Sequence, residues 1–199
     1  SRKARIILED GTTFTGQAFA LSGDKYAEVV FNTAMTGYQE ILTDPSYAGQ
    51  AVVMSYPMIG NYGIHLEDVE SRKIFLEALI VREYCDFPSH RRSTTTLKQY
   101  LEENHILGVE GVDTRALTRH IRAKGSLKAI VTTSEESAGA LLSQLQSSYP
   151  HPGINIAKYA SCERSYVWKP PSQVKYKVAI IDCGMKYNIP RTLSTYGCE

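Results

Sequence analysis

Five residues, Pro150, Pro152, Gly153, Pro170 and Pro171, interrupt a chain that is otherwise patterned for regular structure. Proline lacks a backbone N–H and has a fixed φ, so neither a helix nor a central strand runs through such a stretch. Residues 149–171 read as an irregular segment and then a linker, and the chain divides near residue 172. Its 199 residues suffice for one large domain, or for one domain and part of another. With 43% hydrophobic and 22% charged residues, the composition supports an ordinary buried core.

Upstream of the division, short strands dominate. Ala4 to Glu9 is a strand, Asp10-Gly11 signals a hairpin, and Thr12 to Phe19 returns, with Gly16 as a candidate bulge. Tyr26 to Asn32 and Gln50 to Tyr56 are further strands, and their close spacing indicates an antiparallel or mixed sheet. Between them lies "FNTAMTGYQEILTDPSYAGQ", long for a connection, with Met35, Ile41 and Leu42 as expected core anchors. Leu76 to Cys85 reads as one strand, and "SRKIFLE" before it fits either a short helix or a strand onset. A helix is expected over Ser93 to Glu103, with Leu97, Tyr100 and Leu101 on one face. "ILGVEG" is a short strand. A helix capped by Asp113 or Thr114 follows and ends at Gly125. "LKAIVTT" is a strand, and Ser134 is expected to cap a helix running to about Ser147, with Leu141, Leu142 and Leu145 inward.

After Ser172, the apolar run of "KVAIID" leads into a Gly turn and a helix with Ile189, Leu193 and Tyr196 inward. This is the first β-α unit of a parallel-sheet domain. One strand cannot bury both its faces, so the remaining strands of that domain are expected beyond residue 199.

The totals exclude several functions. A net charge of +1 argues against nucleic acid and membrane surfaces as partners. Apolar runs such as Ala78 to Val81 are too short to span a bilayer, and "SRKARIILEDG" lacks the apolar core of a signal peptide. Cys85, Cys162, Cys183 and Cys198 form no C-x-x-C, and the five histidines share no metal-ligand spacing with them. A reducing, cytoplasmic compartment and no metal site are expected. The sequence contains no G-x-x-x-x-G-K-[ST], no G-x-G-x-x-G after a strand, and no G-x-S-x-G or G-x-C-x-G elbow.

Four places remain where chemistry could sit. Cys183 lies between a strand and a helix, where backbone dipoles stabilise thiolates, but a buried strand-end Cys looks the same in sequence. Lys186, in "CGMKYN", stands where α/β domains bind ligands and is a candidate for an anion or for a domain or subunit interface; its alternative is a solvated first-turn Lys. Arg115, Arg119, Arg122 and Lys124 suit either an acidic partner or a solvated helix face. Ser46, in the turn signature Asp44-Pro45-Ser46-Tyr47, can present its hydroxyl and N–H outward together, or serve only as turn chemistry.

Taken in series, "LEDGTTFTGQAF", "VVFNTAMTGYQEILTDPSYAGQ", "YPMIGNYG", "GVDTRALTRHIRAKG" and "VAIIDCGMKYNI" resemble the small, glutamine-using subunit of carbamoyl-phosphate synthetase. The resemblance runs from about Ala4 to the last residue. It implies an α/β fold: a three-layer β/β/α N-terminal domain with mixed sheets over residues 1–172, then the start of a flavodoxin-like class I glutamine amidotransferase domain over 173–199. In that family a Cys-His-Glu triad hydrolyses glutamine. The ammonia passes to a large subunit, which uses ATP, Mg and bicarbonate to make carbamoyl phosphate for arginine and pyrimidine synthesis.

The resemblance implies no catalytic residue and no cofactor in residues 1–199, since the elbow Cys and its partners match no position here. It does imply one substrate contact, with Ser46 reaching L-glutamine across from the N-terminal domain. The expected partners are L-glutamine and a large subunit, separate or fused, docking on the loops around Met35 to Gln39 and Ile59 to Gly63. A non-catalytic docking module and a thiol hydrolase using Cys183 are the alternatives.

Overall fold

The structure is a computed structural model that describes residues 2–65, 68–87, 95–148 and 155–199. Expectations for His90, for the Ser93 start of a helix, and for Tyr149, Pro150, His151, Pro152 and Gly153 fall outside the described residues.

Among the described residues nine strands form: β1 (Arg2–Leu8), β2 (Thr13–Ala20), β3 (Asp24–Asn32), β4 (Gln50–Met54), β5 (Met58–Ile59), β6 (Ala78–Ile80), β7 (Glu83–Tyr84), β8 (Leu107–Glu110) and β9 (Leu127–Thr132). The helices are α1 (Tyr38–Thr43), α2 (Leu97–Glu103), α3 (Thr114–Lys124), α4 (Ala138–Ser148), α5 (Ile156–Ala160) and α6 (Asn188–Thr195). Seven strands close a barrel in the order β1-β2-β8-β6-β4-β3-β9, and β5 and β7 form a separate two-stranded sheet. The mixed α/β composition is as expected, but most of the β structure closes on itself instead of stacking as separate open sheets.

The barrel is antiparallel at β1/β2, β1/β9, β2/β8 and β3/β9, and parallel at β3/β4, β4/β6 and β6/β8. Alternation along the strands sends Ala4, Ile6, Leu8, Ala27, Val29, Ala51, Val53, Ala78, Ala129 and Val131 to one shared cluster. Many of these are alanines, so the interior has room for Leu117 and Ile121 of α3, which complete the cluster. Outside, α4 sets Leu141 against Ile7 and Ile130, while α1 and α2 cover Val52, Met54 and Leu79 with Ile41, Leu42, Leu97 and Leu101. A fully buried side chain of this kind contributes about 1.5–3 kcal/mol.

Several local expectations are corrected. Gly16 pairs regularly with Ala4; the register shift on β2 falls between Ala18 and Ala20. Gly16 instead marks a close approach. A Cβ there would lie 2.3 Å from the Glu110 carbonyl oxygen and 2.8 Å from Val112 Cγ2. The expected strand Leu76 to Cys85 breaks because the chain leaves the barrel at Arg82, and β7 then pairs with β5. "SRKIFLE" is neither helix nor strand. α4 starts at Ala138, with Ser137 Oγ accepting the Ala140 N–H, and Ser134 is not its cap. The reason is Arg5, which donates to the carbonyls of Ser134 and Glu136 at 2.5 and 2.6 Å and keeps them from starting a helix. Met35 is 72% exposed, whereas Ile41 and Leu42 are buried as expected.

Other punctuation forms as the sequence suggests. α2 has a capping box between Thr96 and Gln99, and Asp113 caps α3, which ends at Gly125. The segment beyond residue 154 is more than a linker: α5 buries Ala160 against Ala48 and Phe75. Lys73 Nζ lies 3.6 Å from the centroid of the Tyr159 ring on the same helix. Residues 177–182 form no ladder among the described residues; beside them lies an isolated bridge, Tyr176 to Cys198. Val178, Ile180 and Ile181 are consequently exposed, Ile181 at 92%.

The first hairpin is fastened to α3. Asp10 Oδ2 accepts from His120 Nε2 at 2.8 Å and Lys124 Nζ at 2.9 Å, and Asp10 Oδ1 accepts from the Thr12 N–H at 3.0 Å. Burial pushes the Asp10 carboxyl up, but these donors outweigh it and hold it well below the usual range. A carboxyl depressed in the folded state contributes stability above its unfolded value of about 3.9, and that contribution is lost as pH falls. Asp10→Asn should therefore lower stability at pH 7 and flatten its decline below about pH 4, read by urea unfolding across pH. Gly16→Ala should cost about 1–3 kcal/mol in the same assay, through overpacking at the β2/β8 seam; an unchanged midpoint would contradict the close approach.

Candidate functional site

Parallel strands cannot be joined by a tight turn, so each needs a crossover returning to the same end of the sheet. The β3-to-β4 crossover carries α1 and the turn Pro45–Tyr47, and the β4-to-β6 crossover carries residues 68–77. Their return legs run side by side. The Phe75 N–H donates to Leu42 O at 3.4 Å and the Glu77 N–H to Gln50 O at 2.8 Å. Thr43, fully buried, is the cross-link: its Oγ1 accepts the Glu70 N–H at 2.8 Å and donates to Gln39 O at 3.0 Å. Ser71 Oγ donates to the Thr43 carbonyl.

The start of α1 is held as firmly. Tyr62 Oη accepts the N–H groups of Gly37 and Tyr38 at 2.7 and 2.9 Å, and the Tyr38 and Tyr62 rings stack at 4.2 Å. Burial, with Tyr62 alongside, raises the Tyr38 hydroxyl above its ordinary value, so it stays protonated and donates to Gly63 O at 2.6 Å. The buried Gln39 side chain bonds the backbone of His65 in both directions. The loops 35–39 and 59–63 are thus bonded directly to each other.

On this frame sits the turn. Asp44 Oδ1 accepts the Ser46 N–H at 2.9 Å, and the Tyr47 N–H donates to Asp44 O at 3.1 Å. The expected outward N–H of Ser46 is therefore occupied. Only the Ser46 hydroxyl points outward, exposed and without a hydrogen bond among the described residues. Asp44 Oδ2 holds Lys186 Nζ at 2.7 Å. One carboxylate thereby joins both residues singled out from sequence, Ser46 and Lys186, across the proline-bearing segment. Asp44 was missed because an Asp before Pro-Ser reads as an ordinary turn cap; its second oxygen has no sequence signal.

The Asp44 carboxylate raises the Lys186 ammonium above its ordinary value and outweighs burial, so Lys186 stays charged at neutral pH. A second contact lies beside it. Glu70 Oε1 accepts from Arg191 Nη1 at 3.0 Å, Glu70 Oε2 accepts the Asn188 N–H at 2.9 Å, and Glu70 O accepts the Tyr187 N–H at 2.8 Å. Arg72 adds bonds to the carbonyls of Ser161 and Tyr159 at 2.9 and 3.2 Å. Between these contacts lies a cavity of about 260 Å³ lined by Pro45, Ser71, Arg72, Tyr166, Asp182 and Tyr187, among others.

Cys183 is exposed, not a buried strand end, and no side chain bonds its thiol among the described residues. Its neighbour Asp182 shapes the turn. Burial pushes that carboxyl up, but the Met185 and Gly184 N–H groups and the Tyr166 hydroxyl outweigh it and hold it below the usual range. Arg115, Arg119 and Arg122 lie on a solvated face, while Lys124 is taken by Asp10. Among the described residues no cluster could hold a metal ion, and no helix is long and apolar enough to cross a membrane.

Removing the Asp44 charge should loosen residues 182–191. Trp168, whose ring lies 5.1 Å from that of Tyr187, is the one tryptophan of the chain and reports on this region. In Asp44→Asn, Trp168 fluorescence should shift and the Tyr187 amide should exchange faster, with Val52 in β4 unchanged. Equal protection at Tyr187 in both proteins would remove Asp44 from the docking.

Residues 6–131 match the family described as carbamoyl-phosphate synthase small chain, CPSase domain. The chain is 45% identical to the carbamoyl phosphate synthase small chain of Syntrophotalea carbinolica, covering 99% of this chain and 56% of that protein. It is 46% identical to that of Maridesulfovibrio salexigens, covering 89% and 47%, and 42% identical to the chloroplastic small chain of Arabidopsis thaliana, covering 100% and 49%. The chain spans about half the length of the relatives it matches. It belongs to the carbamoyl-phosphate synthase small chain family.

Proposed function

We propose that this member of the small-chain family is the N-terminal part of the ammonia-supplying subunit of a glutamine-hydrolysing carbamoyl-phosphate synthetase. Residues 1–172 form its N-terminal domain, built on the closed barrel, and residues 173–199 begin a flavodoxin-like class I glutamine amidotransferase domain. The whole subunit releases ammonia from L-glutamine with a Cys-His-Glu set that residues 1–199 do not supply. A large subunit then uses ATP, Mg and bicarbonate to form carbamoyl phosphate for arginine and pyrimidine synthesis. The assembly is a cytoplasmic heterodimer whose small subunit meets the large one through the 35–39 and 59–63 surface, and residues 1–199 alone are inactive.

The observation that carries this reading is the divided use of the Asp44 carboxylate. One oxygen freezes the turn that carries Ser46, and the other grips Lys186 at the start of the second domain. The Ser46 hydroxyl is left exposed beside that domain, on backbone with little freedom left to lose. It is suited to bond a charged end of glutamine, and Lys186 serves as a domain contact. The exposed apolar residues Val178, Ile180 and Ile181 fit the same reading, since a strand of a parallel sheet is apolar on both faces.

In the full-length subunit with its large partner, Ser46→Ala should raise the glutamine KM about tenfold, the effect of losing one hydrogen bond to a charged group. Ammonia-dependent synthesis should not change, because that route bypasses the glutamine site. An unaltered glutamine KM would refute the role of Ser46.

A further inference from the structure

We infer that Glu70 is a positioning residue for the glutamine site, setting where Ser46 stands relative to the second domain. The inference rests on the role proposed for Ser46. Glu70 lies on the return leg of the β4-to-β6 crossover and is bonded in two directions. Toward the barrel, its N–H donates to Thr43 Oγ1 at 2.8 Å, and Thr43 is the residue before Asp44. Its neighbour Ser71 bonds the Thr43 carbonyl, so two successive residues hold Thr43 at the entry to the Asp44-Pro45-Ser46 turn.

Toward the second domain, both Glu70 carboxylate oxygens are used, one by Arg191 Nη1 at 3.0 Å and one by the Asn188 N–H at 2.9 Å. The Glu70 carbonyl takes the Tyr187 N–H at 2.8 Å, and Arg191 Nη2 reaches the neighbouring Val69 carbonyl at 2.7 Å. Four bonds therefore converge on residues 69–70 from the first turns of α6. The Glu70 side chain is only 13% exposed, so charge-assisted bonds here are little screened.

The consequence is geometric. Lys186 alone is a single flexible arm on Asp44 and permits rotation between the two units. Adding the Glu70 contacts, whose anchor on the barrel side is the residue preceding Asp44, gives two tethers about the same turn. Rotation is then blocked, and the Ser46 hydroxyl is held at one place with respect to α6. Glu70 touches no substrate; it acts through Thr43 and Asp44.

The test is a double-mutant cycle in the full-length subunit with its large partner. Glu70→Ala should raise the glutamine KM about fivefold to tenfold, with kcat at saturating glutamine and ammonia-dependent synthesis within about twofold of the parent. Glu70→Gln, which keeps an acceptor for the Asn188 N–H but loses the ion pair, should fall between the parent and Glu70→Ala. It also serves if Glu70→Ala fails to fold. The decisive result is non-additivity: Ser46→Ala combined with a Glu70 variant should have a KM no higher than Ser46→Ala alone. Multiplying effects, an unchanged KM in both Glu70 variants, or parallel loss of glutamine- and ammonia-dependent activity would each overturn the inference. If Ser46→Ala raises KM while both Glu70 variants do not, the Ser46 reading stands and the Glu70 inference falls. If Ser46→Ala itself leaves KM unchanged, both fall.

Discussion

Parallel pairing of β3, β4 and β6 is the constraint on which the rest of this molecule depends. Because each parallel neighbour must be entered from the same end, two long crossovers are delivered side by side. Their return legs carry Thr43 to Ser46 on one and Glu70 to Phe75 on the other. Residues distant in sequence share hydrogen bonds for this reason, and the unusual length of the stretch 31–50 is explained by the distance it must travel back.

Closure of the barrel makes this arrangement rigid. β9 pairs with both β1 and β3, so the sheet of seven strands has no free edge on which the crossovers could shift. The alanine-lined interior takes its bulk from α3, which ties the second half of the barrel domain to the first. The contrast with residues 177–182 is physical. There Val178, Ile180 and Ile181 join no ladder among the described residues and stay exposed.

Much of the fold was legible. Hairpin, caps and periodicity placed most of the elements, since these depend on residues within a turn of one another: Asp10-Gly11, Thr96 with Gln99, Asp113 and Gly125. The failures share one cause, which is contact from afar. Ser134 lost its helix to Arg5 on β1, Leu76 to Cys85 was split by the departure of the chain at Arg82, and Gly16 answers to Glu110 across the seam instead of a bulge. The candidate site divided in the same way. Ser46 and Lys186 could be named, whereas Asp44 as their shared partner and Glu70 as the second tether had no local signature.

The sequence by itself determined the order of short strands and helices, the stiff Asp-Pro-Ser turn and the family resemblance. All of these rest on local backbone preference or on residue identity. The tertiary structure decided that the strands close into a barrel, that one carboxylate serves Ser46 and Lys186 together, and that the Ser46 N–H is taken while its hydroxyl is exposed. Those outcomes depend on which distant segments the crossovers bring within hydrogen-bonding reach, and that distance exists only once the chain has folded.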